Sequence, residues 1–145
     1  MLPTAHVLIV EDHPLYLDGL LSLLQRAAPQ LRCRAVARGD TALAHLRARP
    51  ETDLVLSDHH LPGPMDGLTL LMQVGQDHPT AARVLVSGTA DPHLPQHARR
   101  AGLMGFLPKS MEPRHWVDAL GRILQGDPWF PPTADDEPGL TPRQA

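Results

Sequence analysis

Five side chains in this 145-residue sequence have the types and the placement to handle phosphate: Glu11, Asp12, Asp58, Ser87 and Lys109. Each closes or follows a short apolar run, where a buried strand would end. Three carboxylates crowded at one edge repel one another, and a hard divalent cation offsets that charge. Mg²⁺ prefers near-octahedral oxygen coordination, keeps several waters and is commonly held by one or two carboxylates plus a phosphate, which Asp12 and Asp58 suit. With a metal polarising an incoming phosphoryl group, an ionised carboxylate attacks phosphorus to form an acyl phosphate. Asp58, at the centre of the edge, is the candidate nucleophile. The Lys109 ammonium can neutralise one phosphoryl oxygen, and the Ser87 hydroxyl can donate a hydrogen bond to another.

The periodicity of the chain predicts the elements that must bring these residues together. His6 to Val10 is a short apolar run, and Leu17, Leu20, Leu21 and Leu24 then repeat at helical spacing up to Pro29. Leu31 to Ala37 reads as a second strand, and Thr41 to Ala48 as a helix that ends before Pro50. Asp53 to Ser57 is a buried-type strand, followed by a helix face of Leu68, Leu71, Met72 and Gly75 that Pro79 stops. Arg83 to Ser87 repeats the strand signal, a weaker helix lies between Gln96 and Ala101, and a short strand lies between Met104 and Leu107. Trp116, Val117, Leu120, Ile123 and Leu124 mark a last helix. Five strands alternating with five helices predict a doubly wound α/β fold, its parallel sheet covered on both faces. Ligands in such sheets bind beyond the carboxyl ends of the strands, where the five residues fall.

Length and charge bound the rest. The chain has the size of one domain with a tail. Its formal charge of -3 and scattered basic residues exclude a basic nucleic-acid stripe, so these residues are not expected to bind DNA directly. The single cysteine, Cys33, can form no internal disulfide and reads as a small core residue in a reducing compartment. No apolar stretch reaches the roughly 18 residues of a membrane span, so a cytoplasmic protein without membrane contact is expected. After Gly126 the sequence turns Pro-rich and acidic, and residues 127–145 read as a linker with no regular element.

Val-Glu-Asp-His-Pro at 10–14, Ser-Asp-His-His-Leu-Pro-Gly at 57–63, Val-Ser-Gly at 86–88 and Gly-Phe-Leu-Pro-Lys-Ser at 105–110 together resemble the receiver domain of two-component response regulators. The resemblance spans about residues 5–126. The Glu-Asp-His-Pro start and the terminal Leu-Thr-Pro-Arg-Gln look like the LuxR/NarL-type branch, in which that last sequence opens a helix-turn-helix domain, absent from this chain. The resemblance implies a flavodoxin-like sheet of order 2-1-3-4-5. It implies a domain over 1–126 that accepts a phosphoryl group on Asp58 from a sensor histidine kinase and switches its surface to control an output such as transcription. Glu11, Asp12, Asp58 and the backbone carbonyl of His60 would organise Mg²⁺, Ser87 would turn toward the phosphate, and Phe106 would swing between exposed and buried positions. The protein would be no enzyme but an acceptor that assists its own phosphorylation and dephosphorylation. The fourth helix, fifth strand and fifth helix would form the output face. A homodimer would use that face or the first and fifth helices, and DNA would be reached only through the output domain.

Three departures from the family pattern stand out. One extra residue lies between Pro62 and Gly67; Pro92 and Pro95 fall where the fourth helix should begin, predicting a short or displaced helix; and His60 replaces the usual residue two positions beyond the acceptor. A cis peptide at Leu107 to Pro108, or beside it, is expected on the ground that proline lowers its cost. Asp66 is placed to cap the third helix. Two other readings stay open. One is a receiver-like interaction module that never takes phosphate; the other, on Asp58-His59-His60, is a DHH-type metal phosphoesterase, whose imidazoles would favour Zn or Mn.

Overall fold

Continuous apolar runs cannot be solvated on either face, and here they assemble into one parallel sheet. The computed structural model describes residues 3–89 and 91–132. Its strands are β1 (Ala5–Val10), β2 (Leu31–Val36), β3 (Leu54–Asp58), β4 (Ala82–Ser87) and β5 (Gly105–Pro108), in the order β2-β1-β3-β4-β5. The helices are α1 (Pro14–Ala27), α2 (Gly39–Ala48), α3 (Gly67–Asp77), α4 (Leu94–Arg100) and α5 (Pro113–Leu124). Fold class and strand order agree with expectation.

Successive strand side chains point to opposite faces, so each strand feeds two cores. Val7, Ile9, Leu54, Leu56 and Leu107 pack with Leu20 and Leu24 of α1 and Trp116, Leu120 and Ile123 of α5. Leu8, Val10, Val55, Leu85 and Phe106 pack with α2, α3 and α4 through Ala42, Leu46, Leu70, Leu71, Leu94 and Ala98. Each large side chain buried this way contributes about 1.5–3 kcal/mol of transfer free energy. Cys33 is half-buried and its thiol is pushed up by burial, consistent with a packing role.

Local signals fix several boundaries. Asp66 caps α3, its Oδ1 accepting from the Thr69 N–H at 2.8 Å. At the base of the sheet, Arg83 of β4 donates from Nη1 to the Leu71 carbonyl at 3.0 Å and the Ala101 carbonyl at 3.5 Å, and from Nη2 to the Gly102 carbonyl at 2.9 Å. One guanidinium thereby ties the middle of α3 to the carboxyl end of α4.

The fourth helix is short, at seven residues. It starts earlier than its apolar pattern suggests, because Pro95 occupies its first turn instead of its fourth position, where a missing N–H costs no ladder bond. The expected cis peptide is corrected: the Leu107 to Pro108 bond and its neighbours are trans. Pro108 pairs in register with Ser87, and the Lys109 N–H continues the ladder to the Ser87 carbonyl at 2.9 Å. A cis bond draws consecutive Cα atoms to about 2.9 Å and would turn the strand out of that register. The tail also differs from its expected irregularity, since Trp129 forms a parallel bridge with Gly105. The remainder of the expected linker, 133–145, lies outside the described residues.

Candidate functional site

The carboxyl ends of β1, β3, β4 and β5 meet at one rim. Glu11 follows β1, and its amide donates to the Val36 carbonyl at 2.9 Å, tying the acidic pair to the end of β2. Asp58 closes β3, and the next amide, from His59, donates to the Val86 carbonyl of β4 at 3.0 Å. The loop then returns closely: the Gly67 N–H donates to the His59 carbonyl at 2.7 Å, and a Cβ on Gly67 would overlap the Asp58 carbonyl. Within the 62–67 loop Gly63 sits at φ +92, in the left-handed region that glycine enters freely.

Lys109 reaches inward from the end of β5. Its Nζ stands 3.1 Å from Glu11 Oε1 and 3.3 Å from Asp58 Oδ2, and 4.4 Å from the centre of the Tyr16 ring. Glu11 and Asp58 are buried, whereas Asp12 is exposed. Burial raises the Glu11 carboxyl, but bonds from the His13 backbone and ring and from Lys109 outweigh it and hold the group below its ordinary value. Asp58 goes the other way. Burial and the Glu11 charge push it up, and Lys109 offsets only part of this.

Asp58 Oδ2 is buried and has no hydrogen-bond partner. One ligand atom each from Glu11, Asp12, His13 and Asp58 converge within 4.8 Å of one another, the one such group among the described residues. A buried carboxylate oxygen that accepts no hydrogen bond, in a mainly oxygen donor set, fits a hard divalent cation. His59 and His60 stand outside that group, their rings 4.9 Å apart, so among the described residues the two imidazoles of the phosphoesterase reading join no cluster of metal-ligating side chains.

Ser87 is buried at the end of β4, with its Oγ 3.0 Å from Thr89 Oγ1 and accepting from the Thr89 N–H at 3.1 Å. Phe106 is buried as well, and its N–H donates to the Trp129 carbonyl at 3.1 Å. His60 is exposed two residues past Asp58.

Three neighbours of the site escaped the sequence reading. His13 Nδ1 lies 2.8 Å from Glu11 Oε2, 3.5 Å from Asp12 Oδ1 and 3.6 Å from Asp58 Oδ2. The Glu11 bond, with Asp12 adding to it, raises the imidazole above its ordinary value. Tyr16 walls the site beneath Lys109, and burial, with the Glu11 and Asp58 charges, pushes its phenol up to about 12. Thr89 holds Ser87. The adjacency of His13 to Asp12 was the one signal available in the sequence.

The family model described as "Response regulator receiver domain" matches residues 7–121. The chain belongs to the response regulator receiver domain family. This receiver domain is 32% identical over 126 residues to the glycerol metabolism activator of Pseudomonas putida, covering 87% of this chain and 57% of that protein. It is 27% identical over 123 residues to the nitrate/nitrite response regulator protein NarL of Escherichia coli strain K12, covering 85% of this chain and 56% of that one. A crystal structure of a LuxR family DNA-binding response regulator from Silicibacter pomeroyi superposes with a TM-score of 0.76 at 34% identity, covering 88% of this chain and 97% of that chain. The receiver domain is thus of the LuxR/NarL type, and the chain spans little more than half the length of these two curated relatives. Among its described residues, no helix is long and apolar enough to cross a membrane.

Proposed function

We propose that this receiver domain accepts a phosphoryl group on Asp58 from the phosphohistidine of a sensor kinase. The observation that carries the reading is the Lys109 ammonium 3.3 Å from Asp58 Oδ2, a buried oxygen that accepts no hydrogen bond. Mg²⁺ would be held by Glu11, Asp12, Asp58 and the His60 backbone carbonyl, and when bound it supplies charge neutralisation between acceptor and phosphoryl oxygens. Asp58 donates an electron pair to phosphorus while the bond from phosphorus to the donor nitrogen breaks and its electrons leave with the imidazole. The raised basicity of Asp58 strengthens it as a nucleophile once a cation keeps it ionised. Lys109 then balances a phosphoryl oxygen, and Ser87 exchanges Thr89 for another.

That exchange is the switch. Phosphoryl stabilises the arrangement in which Ser87 and Lys109 both contact it, and Phe106 and the α4-β5-α5 face follow. The face would act on an output domain that reaches DNA, or on a second copy, for which a groove between α1 and α5 lined by Leu15, Leu20, Leu23 and Trp116 offers another surface. A cytoplasmic setting, where a kinase supplies phosphate, fits this role.

Incubation with Mg²⁺ and a small acyl phosphate should add the mass of one phosphoryl group, and Asp58→Ala should abolish the gain. An equal adduct on the variant would assign the acceptor elsewhere.

A further inference from the structure

β5 is an outermost strand, and an open strand edge invites pairing with another chain. Here the chain covers that edge itself. The Trp129 N–H donates to the Met104 carbonyl at 2.9 Å, the Phe106 N–H donates to the Trp129 carbonyl at 3.1 Å, and Trp129 stands in parallel register with Gly105. The approach requires a residue without a side chain, since a Cβ on Gly105 would press on Ile123 Cδ1 and lie 2.9 Å from the Trp129 carbonyl oxygen.

The two aromatics behave as strand residues. Trp129 packs against the core under α1 and α5, and Phe130 packs against the core on the opposite face, where the Arg99 guanidinium lies 4.4 Å from its ring centre. Pro128, Pro131 and Pro132 flank the pair and have no N–H with which to prolong a ladder, so the segment seals one edge without offering a long new one. Asp127 steers the chain into place by pairing with Arg122 at 3.2 Å and donating its N–H to the Arg122 carbonyl at 2.9 Å.

One of the two docking bonds comes from Phe106, whose side chain lies in the core that Phe130 covers. A Phe106 ring swung out between β5 and α4 would need the surface beside α4 that Phe130 occupies. We propose that the β5 edge is a docking site for Pro128–Phe130 whose occupancy is linked to the inward position of Phe106, so that phosphoryl on Asp58 tightens the docked segment. The inference rests on Asp58 being the acceptor. Ser87 and Lys109, drawn to the phosphoryl group, hold β4 and β5 together through the Lys109 N–H and the Ser87 carbonyl, which favours the inward ring. Two backbone bonds, one cation–π contact and two half-buried rings are few enough for undocking to be a local opening. Undocked, β5 presents an edge to which another chain could add a strand, while docking keeps it closed.

Amide hydrogen exchange of the 145-residue chain, resolved by NMR, tests this with Mg²⁺ and beryllofluoride as the phosphoryl mimic. The Trp129 and Phe106 amides should exchange about threefold more slowly, or slower still, when the mimic is bound. By reciprocity, Phe130→Ala, which removes a half-buried ring and leaves the central core intact, should weaken beryllofluoride binding by a similar factor. If the Ser87 and Lys109 signals move with the mimic while Trp129 exchange is unchanged or faster, the coupling is refuted and the acceptor reading stands. If no signal moves, the acceptor reading fails and takes the coupling with it.

Discussion

Glu11 and Asp58, on adjacent strand ends, share the Lys109 ammonium at 3.1 Å and 3.3 Å, yet their carboxyls are displaced in opposite directions, Glu11 down and Asp58 up. The division gives one group held in its charged form at neutral pH and one whose charge is costly until a cation arrives.

In metal-free buffer near pH 7, Asp58→Asn is therefore expected to stabilise the chain by on the order of 1 kcal/mol, by relieving the repulsion with Glu11. Asp58 binds its proton more tightly folded than unfolded, so the gap narrows as pH falls through its raised pKa. Glu11 has the opposite sign: its contribution is present above its unfolded pKa and is lost only as pH falls through the lowered one. Mg²⁺ should reverse the order of the two chains, because only the wild type keeps all three carboxylates. Urea unfolding with and without chelator, across pH, checks each part.

Lys109→Met leaves two buried carboxylates facing each other. A loss of about 2 kcal/mol is expected without metal, below the value for a fully buried pair because the ammonium keeps some solvent contact. The same variant should bind Mg²⁺ more tightly, since a competing cation has gone. Urea melts and a fluorescence titration with Mg²⁺ would show both effects. Unchanged affinity would mean that Lys109 and the metal do not share the site.

Tyr16 is the single tyrosine of the chain, so its ionisation can be followed directly by ultraviolet absorbance. The phenolate signal should appear near pH 12 in the folded protein against about 10 once unfolded. Over that interval the folded state holds a proton that the unfolded state has released, so stability falls as pH rises. Asp58→Asn should bring the phenol down by removing one of the charges that raise it.

Gly67→Ala tests the close return of the loop after Asp58. A methyl group there meets the Asp58 carbonyl, and a loss of about 1–3 kcal/mol is expected. The Asp58 and His59 amide signals should move with it.

The sheet and the rim were legible because their signals are local. Val7 to Val10, Leu54 to Leu56 and Val84 to Val86 are runs that only a strand covered on both faces can bury, and the charged residues directly follow such runs. The inward turn of Lys109 and the cap of Asp66 followed from position alone. What escaped depends on contacts between distant stretches. Nothing near Trp129 announces that its partner is β5, because a single bridge has no period. The ring of His13 could equally face solvent, and it reaches three carboxylates only once β1 and β3 are paired. Pro108 misled because its cis tendency is a property of the dipeptide, whereas the ladder with Ser87 belongs to the sheet.

The Arg83 clamp divides the molecule mechanically. A single side chain from the sheet braces the middle of α3 and the end of α4 at the floor, so displacement of β4 there would break three hydrogen bonds at once, while the opposite ends of the strands finish in loops. A change of side chains at the loop end leaves those three bonds untouched, so new inputs or outputs can be acquired at that storey without renegotiating the foundation.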